Sequence, residues 1–283
     1  MFHDIVKKYL ENSKTFKFSD IGFNNRKYIS YFHGRELCFK NNNKWLSIKG
    51  TGWNYGPPYI FTAEYDFNCL GLMNYSNALR EKKISDILKK KFPDKFSTSL
   101  EIIKFENTDL IKIKYLLPKN FLPAILIREV SSPYRLKDLF LKSKSSALKN
   151  FRDYFGENTY LSLTKLQNKL LHTIINYHLH GYLHDMLDLG NVNTHGQILD
   201  LEYFYIPKAK YPKYFKMSKR ILRNRKEKEA IYFLEIMYQI SELFNKKTSL
   251  RDLSKTSLQM IKNKGKFKNL IFYKTLKKIS LSK

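Results

Sequence analysis

Hydrophobic patterning changes once along this 283-residue chain, and that change sets the fold class. Up to about residue 130 the apolar side chains come in runs of strand length, separated by turn formers. Runs at 27–32, 37–40 and 45–49, with His33-Gly34-Arg35 and Asn41-Asn42-Asn43 between them, predict an antiparallel meander. Two further runs, 100–105 and 110–117, flank Glu106-Asn107-Thr108-Asp109 and predict a hairpin. A last strand is expected at 124–128, after Pro123. One helix interrupts this region at 76–91, with Ala78, Leu79, Ile84, Ile87 and Leu88 at helical spacing. Beyond about residue 136 the pattern is helical throughout. Leu163, Leu166, Leu170, Ile174 and Tyr177 mark a helix over 161–180, and a second is expected over 229–244 after a basic, tyrosine-rich connection at 208–228. The lysine-rich end keeps apolar spacing at Leu258, Ile261, Leu270, Ile271, Leu276 and Ile279, which predicts basic amphipathic helices. With a short helix over 1–15, the expectation is an α+β chain of two domains, 1–130 and 131–283.

Composition narrows the partners. At 43% hydrophobic and 15% aromatic the chain can bury a large core and is not disordered. A formal charge of +27 suits an acidic partner such as a nucleotide, a nucleic acid or a membrane surface, but a compositional bias towards Lys, Asn, Ile, Tyr and Phe is the preferred reading. The lysines are dispersed and no zinc or recognition-helix motif accompanies them, so nucleic acid is the less favoured of these. Cys38 and Cys69 form no CxxC pair, which points to a reducing compartment. No apolar run reaches the ~18 residues of a membrane span, and the first residues lack a secretory signal. Residence in the cytoplasm is expected, with delivery by a non-classical route also consistent.

The chemistry-bearing stretch is 181–202, Gly-Tyr-Leu-His-Asp-Met-Leu-Asp-Leu-Gly-Asn-Val-Asn-Thr-His-Gly-Gln-Ile-Leu-Asp-Leu-Glu. A helix leads into it and a short apolar run, Ile198-Leu199, ends on Asp200. A loop asparagine followed by an aspartate at a strand end can hold Mg²⁺, which takes one or two protein oxygens and completes its shell with phosphate and water. Asn191 and Asp200 are the candidate ligands. Upstream, Lys49 ends a predicted strand and is followed by Gly50-Thr51-Gly52, where an amine and a close backbone could meet phosphate. Glu81, or Asp86, lies on the predicted helix and could orient Lys49.

In order along the chain, these pieces resemble selenoprotein O, the kinase-fold enzymes that transfer AMP from ATP to protein hydroxyls. The resemblance covers roughly residues 28–205. Leu46-Ser47-Ile48-Lys49-Gly50-Thr51-Gly52 looks like the family's phosphate-binding strand, and Gly71 looks like the glycine of its Asp-Gly pair, with Leu70 in place of the acid. Ala78-Leu79-Arg80-Glu81 is similar to the start of its helix. Arg128 and Arg135, seven apart, look like the two arginines that bind the phosphates of an inverted ATP. Gly181-Tyr182-x-His184, Asn191, Gly196 and Asp200 look like its metal loop. The resemblance implies a protein-kinase-like bilobal fold, ATP with Mg²⁺ (or Mn²⁺) as cofactors, and AMP transfer to Ser, Thr or Tyr hydroxyls of a protein substrate, this chain's own among them.

Departures keep other readings open. The family's proton-accepting Asp falls at Gly190, and the usual kinase base at Met186, so Asp188 is the candidate acid. The chain is shorter than typical members and has no cysteine near its end. His180-Gly181-x-x-His184 and Asp200-Leu201-Glu202 also resemble small-molecule phosphotransferases of the aminoglycoside or choline kinase type. A degenerate kinase fold that binds nucleotide without turnover is the third reading.

Overall fold

In the computed structural model the described residues are 8–15, 28–30, 36–41, 44–51, 72–106, 119–141, 144–207 and 217–282. The chain divides into two compact units, Met1–Pro133 and Tyr134–Lys283. The predicted strand 110–117 and residues 107–109 of its turn, the aromatic stretch 53–70 and Gly71 lie outside the described residues, as do residues 1–7 of the predicted helix over 1–15 and Cys69.

The first unit is an antiparallel sheet with one helix. Its strands are β1 (Tyr28–Ser30), β2 (Glu36–Asn41), β3 (Lys44–Lys49), β4 (Met73–Asn74), β5 (Thr98–Lys104) and β6 (Pro123–Val130). They pair in the order β1-β2-β3-β6-β4, and β5 also pairs with β6. β6 is therefore the central strand. Ala124, Ile125, Leu126 and Ile127 are all fully buried, which is why this strand reads as an unbroken apolar run. Its proline stands at the first position, where a missing N–H costs least.

Register sorts the side chains of β2 and β3. Glu36 lies opposite Lys49, Leu37 opposite Ile48, and Cys38 opposite Ser47. Leu37, Phe39, Leu46 and Ile48 thus share one apolar face, while Glu36, Ser47 and Lys49 share the other. Ser47 in turn faces Arg128 on β6.

Helix α1 (Tyr75–Lys91) packs against β4, β5 and β6. Asn74 caps it, its side chain accepting from the Ser76 N–H at 3.2 Å, and three lysines close its C-terminal turn. Ala78, Glu81, Ser85 and Leu88 form its buried stripe. Ser85 ties the helix to β5 twice, donating to the Ser97 carbonyl at 3.1 Å and accepting from the Ser99 N–H at 2.8 Å. Apolar packing between helix and sheet comes from Met73, Ala78, Ala124 and Leu126.

The second unit is helical. After a 3-10 turn (Leu136–Phe140) come α2 (Lys144–Phe155), α3 (Thr159–Leu179), a 3-10 turn (Leu201–Tyr203), α4 (Lys219–Leu243), α5 (Leu250–Met260), the short α6 (Lys264–Phe267) and α7 (Ile271–Leu281). α3 is the organising helix and contacts α2, α4, α5 and α7. Its apolar residues Leu163, Leu166, Leu170, Leu171, Ile174 and Ile175 are all buried. α4 begins ten residues before the expected start at 229. Its first turns have few apolar residues, so periodicity gives no signal there. They are held by the Ser218 cap on the Ile221 N–H at 3.2 Å and an i,i+4 pair of Arg223 with Glu227 at 3.1 Å. Among the described residues no helix is long and apolar enough to cross a membrane.

Candidate active-site elements

In the first unit, Lys49 is buried at the end of β3, with its Nζ 3.1 Å from Glu81 Oε2. Asp86 pairs instead with Lys82 at 3.7 Å on an exposed part of the same helix, so Glu81 is the lysine's partner. The other Glu81 oxygen accepts from Arg128 Nη1 at 2.9 Å. Arg128 continues to Glu36, whose carboxylate also accepts from the Ser47 hydroxyl. The Arg128 Nε and Nη2 lie 3.3 and 3.2 Å from the Ser47 oxygen. Two cations and two carboxylates thus alternate in one buried chain, Lys49–Glu81–Arg128–Glu36, on the sheet face that α1 covers.

Arg128, expected to bind the distal phosphates, has a side chain that is 0% exposed and engaged by two carboxylates. It orients Glu81 from below. Glu36 and Ser47 are parts of this chain that motif reading misses; the signal for them is their place on the Lys49 face of the meander.

Packing within the first unit gives Gly50 a reason for being glycine. Its φ is +90°, and a Cβ there would sit 2.6 Å from the Ala124 carbonyl oxygen and 2.9 Å from the Met73 Cβ. Closeness to β6 and β4 is enough to forbid a side chain there.

In the second unit the loop after α3 is shaped by local hydrogen bonds. Leu183 and Tyr205 exchange backbone bonds at 3.1 and 2.7 Å. The stretch 191–200 is a tight hairpin. Leu199 N–H donates to the Asn191 carbonyl at 2.8 Å, Val192 bridges Ile198, and Gly196 takes φ +71° at the turn. Asn193 closes the turn, its side-chain oxygen accepting from the His195 and Gln197 N–H groups. Asn191 and Asp200 therefore stand together at the open end of the hairpin, nine residues apart in sequence and one step from being backbone partners.

Asn191 is oriented by a side-chain N–H bond to the Met186 carbonyl at 2.6 Å, which turns its oxygen away from that contact. Asp200 adopts a left-handed conformation, φ +51° and ψ +65°, which is costly for a residue with a Cβ and recurs at functional sites. One of its oxygens accepts from Arg135 Nη1 at 2.9 Å. The same arginine also bonds the Gly190 carbonyl, so it joins the loop to the aspartate. Arg135 thus sits on the candidate metal ligand itself.

Asp188 is exposed, and its Oδ1 accepts from the Asn191 N–H at 2.9 Å. That bond shapes the turn. A Cβ at Gly190 would lie 3.1 Å from the same oxygen, so glycine at 190 leaves room for this turn of the Asp188 carboxylate.

The loop is anchored from beneath by Glu229, which sequence reading takes only as the start of a helix. Glu229 is 1% exposed. It accepts from the Tyr177 hydroxyl at 2.6 Å and from the His184 N–H at 3.0 Å, and its second oxygen meets His178. His184 Nε2 lies 2.8 Å from the Leu199 carbonyl, so one residue ties the loop to both α4 and the hairpin. Burial opposes the charge on Glu229, but the bonds from His178 and Tyr177 outweigh it and hold the carboxyl below its ordinary value. Burial, with the Glu229 charge adding to it, pushes the Tyr177 phenol well above its ordinary value. Asp185, at φ +68°, pairs with Arg225 on α4, which raises the pKa of that arginine.

The donor set suits a small hard cation. Asn191 offers an amide oxygen fixed in direction and Asp200 a carboxylate, the one or two oxygens that Mg²⁺ takes alongside phosphate and water. Among the described residues no group of three or more His, Cys, Asp or Glu forms a protein-only metal cage.

An antiparallel sheet whose strand lysine pairs with the glutamate of its one helix, followed by a helical unit with an Asn-to-Asp hairpin, is the element order of a protein-kinase-like fold. No protein-family model matches the chain. No curated protein sequence matches it. Among solved structures it is similar to the Toxoplasma gondii specific rhoptry antigen kinase domain, at 10% identity and a TM-score of 0.42, over 90% of this chain and 78% of the other.

Proposed function

We propose that the protein is an ATP-dependent phosphotransferase that delivers a phosphoryl group to a hydroxyl acceptor. The observation that carries this reading is the buried Lys49–Glu81 pair at 3.1 Å, the pair that kinase-like enzymes need in place before transfer. Lys49 would neutralise phosphate charge, and Glu81 would hold its amine in direction. Asn191 and Asp200 would hold Mg²⁺, or Mn²⁺ in its place. When bound, the ion would neutralise phosphate oxygens. Asp188 is the nearest carboxylate in the loop to take the acceptor proton, through the oxygen not engaged by Asn191. Catalysis by these groups would consist of positioning and charge stabilisation.

The choice between phosphoryl and AMP transfer turns on the arginines. AMP transfer requires them to draw the distal phosphates away from the metal ligands. Arg128 is instead locked between Glu36 and Glu81, and Arg135 is on Asp200. That arrangement favours γ-phosphoryl transfer over the AMP transfer that the selenoprotein O resemblance implies. Incubation with ATP labelled separately at the α and γ positions tests this. Label from γ on a protein or small-molecule hydroxyl is expected. Label from α would restore the AMP reading, and bound ATP without any turnover would leave a nucleotide-binding protein.

A further inference from the structure

Helices α4 and α7 pack together and leave a groove of about 580 Å³ between them. Its lining comes from two stripes at helical spacing. Ile271, Lys274, Thr275, Lys278 and Ile279 run along α7, with Ser282 at its C-cap, and Arg223, Glu227 and Ile231 run along α4. At about 1.5 Å per residue, the 11 residues of α7 give a groove about 16 Å long, three turns of a helix. The isoleucines make it apolar within, and Arg223, Lys274 and Lys278 make its edges positive. Glu227, the one acid present, is already held by Arg223. Lys274 and Lys278 make no ion pair among the described residues.

We propose that this groove docks an acidic, amphipathic helical segment of another protein. Apolar anchors at i, i+3 and i+4 would lie on Ile231, Ile271 and Ile279, and flanking carboxylates would meet Lys274 and Lys278. The lining decides against the other acidic partners. Single-stranded nucleic acid needs rings to stack on, and no aromatic side chain lines the groove. A bilayer receives a protruding apolar face, whereas this surface is recessed. A second copy of the chain brings +27 of like charge. The docking site is independent of the transfer chemistry, so it stands whether or not the protein turns over ATP.

The test uses the full chain and a fluorescein-labelled peptide of about 14 residues, long enough to span the groove. Leucines on one helical stripe and glutamates on its flanks make the probe. Fluorescence anisotropy is compared with a peptide of the same composition whose leucines are scrambled. Binding of the striped peptide about tenfold tighter than the scrambled one is expected. Lys274→Glu/Lys278→Glu should weaken it by at least about tenfold, and a striped peptide with lysines in place of glutamates should regain affinity for that variant. Equal binding of both glutamate peptides, no binding, or loss without this rescue would overturn the proposal. So would tighter binding of single-stranded RNA or of phosphatidylserine vesicles that is lost in the same variant.

Discussion

Arg128 and Glu81 meet at 2.9 Å beneath α1, and the same carboxylate holds Lys49 on its other oxygen. The strand lysine is therefore positioned by a glutamate that is itself positioned by an arginine. Glu36 closes the chain, so each buried charge has an opposite neighbour. Removing Arg128, the cation between two carboxylates, leaves buried charge uncompensated, which is the costly way to break such a network. Arg128→Leu is expected to destabilise the protein by about 3–5 kcal/mol in urea unfolding. If Arg128 were instead a phosphate ligand at the surface, the loss would fall on nucleotide affinity with stability unchanged.

Lys49 separates chemistry from folding. Its partner Glu81 remains held by Arg128 after Lys49→Met, so the fold should persist by circular dichroism. Phosphoryl transfer should fall by about 10²–10³-fold, the range for loss of one preorganised electrostatic group. Lys49→Arg should not restore it, because a planar fork does not replace a compact ammonium at a site closed in by Glu81. Full activity in Lys49→Met would remove the lysine from the site.

The fold class is legible in the sequence because the elements that decide it are long and strongly patterned. β6 reads as a strand from its unbroken apolar run, and α3 as a helix from its spacing. The start of α4 is not legible, since a cap and an exposed ion pair hold it rather than apolar contacts. The site divides in the same way. Lys49 is suggested as a phosphate ligand by its strand-end motif, but its partner is left open between Glu81 and Asp86, and only packing of the helix on the sheet chooses Glu81. The burial of Arg128 is not legible locally, because only strand register places it opposite Ser47. Glu229 is illegible for the converse reason. Its partners Tyr177, His178 and His184 lie 45 to 52 residues away, and only the packing of α3 against α4 brings them to one carboxylate.

Asp200 and Arg135 make a prediction about metal use. Arg135 bonds both Asp200 and the Gly190 carbonyl, so it fixes the aspartate relative to the loop that presents Asn191. Groups that orient a metal ligand from behind typically contribute about 10–100-fold in metal affinity. Arg135→Ala is expected to raise the Mg²⁺ concentration for half-maximal transfer by about tenfold while leaving maximal activity within reach. Asp200→Ala should abolish transfer at any Mg²⁺ concentration. Were Arg135 a ligand of the distal phosphates, its loss would raise the KM for ATP and leave the Mg²⁺ titration unmoved.

The last prediction concerns acid stability. Burial opposes the Glu229 charge, yet His178 and Tyr177 hold its folded pKa below the ordinary carboxylate value of 4.5. A carboxyl depressed on folding binds fewer protons than in the unfolded chain. Its contribution is complete above the ordinary value and fades as pH falls through the lower, folded one. The melting temperature should therefore drop on acidification from about pH 5 downward. Glu229→Gln keeps the shape but removes the charge that His178 meets and that the His184 N–H donates to. It should cost about 1.5–3 kcal/mol at neutral pH, the range for hydrogen bonds to a charged group, and flatten that acid limb. Tyr177 acts at the opposite end. Its phenol, raised well above 10.0, keeps its proton in the fold, so stability should also decline once pH rises beyond the ordinary tyrosine value. Tyr177→Phe should lessen this alkaline decline and, by removing one of the bonds that lower the Glu229 pKa, also shrink the acid limb. A melting profile in which Glu229→Gln and the parent fall in parallel below pH 5 would show that the loop is anchored by something other than this carboxylate.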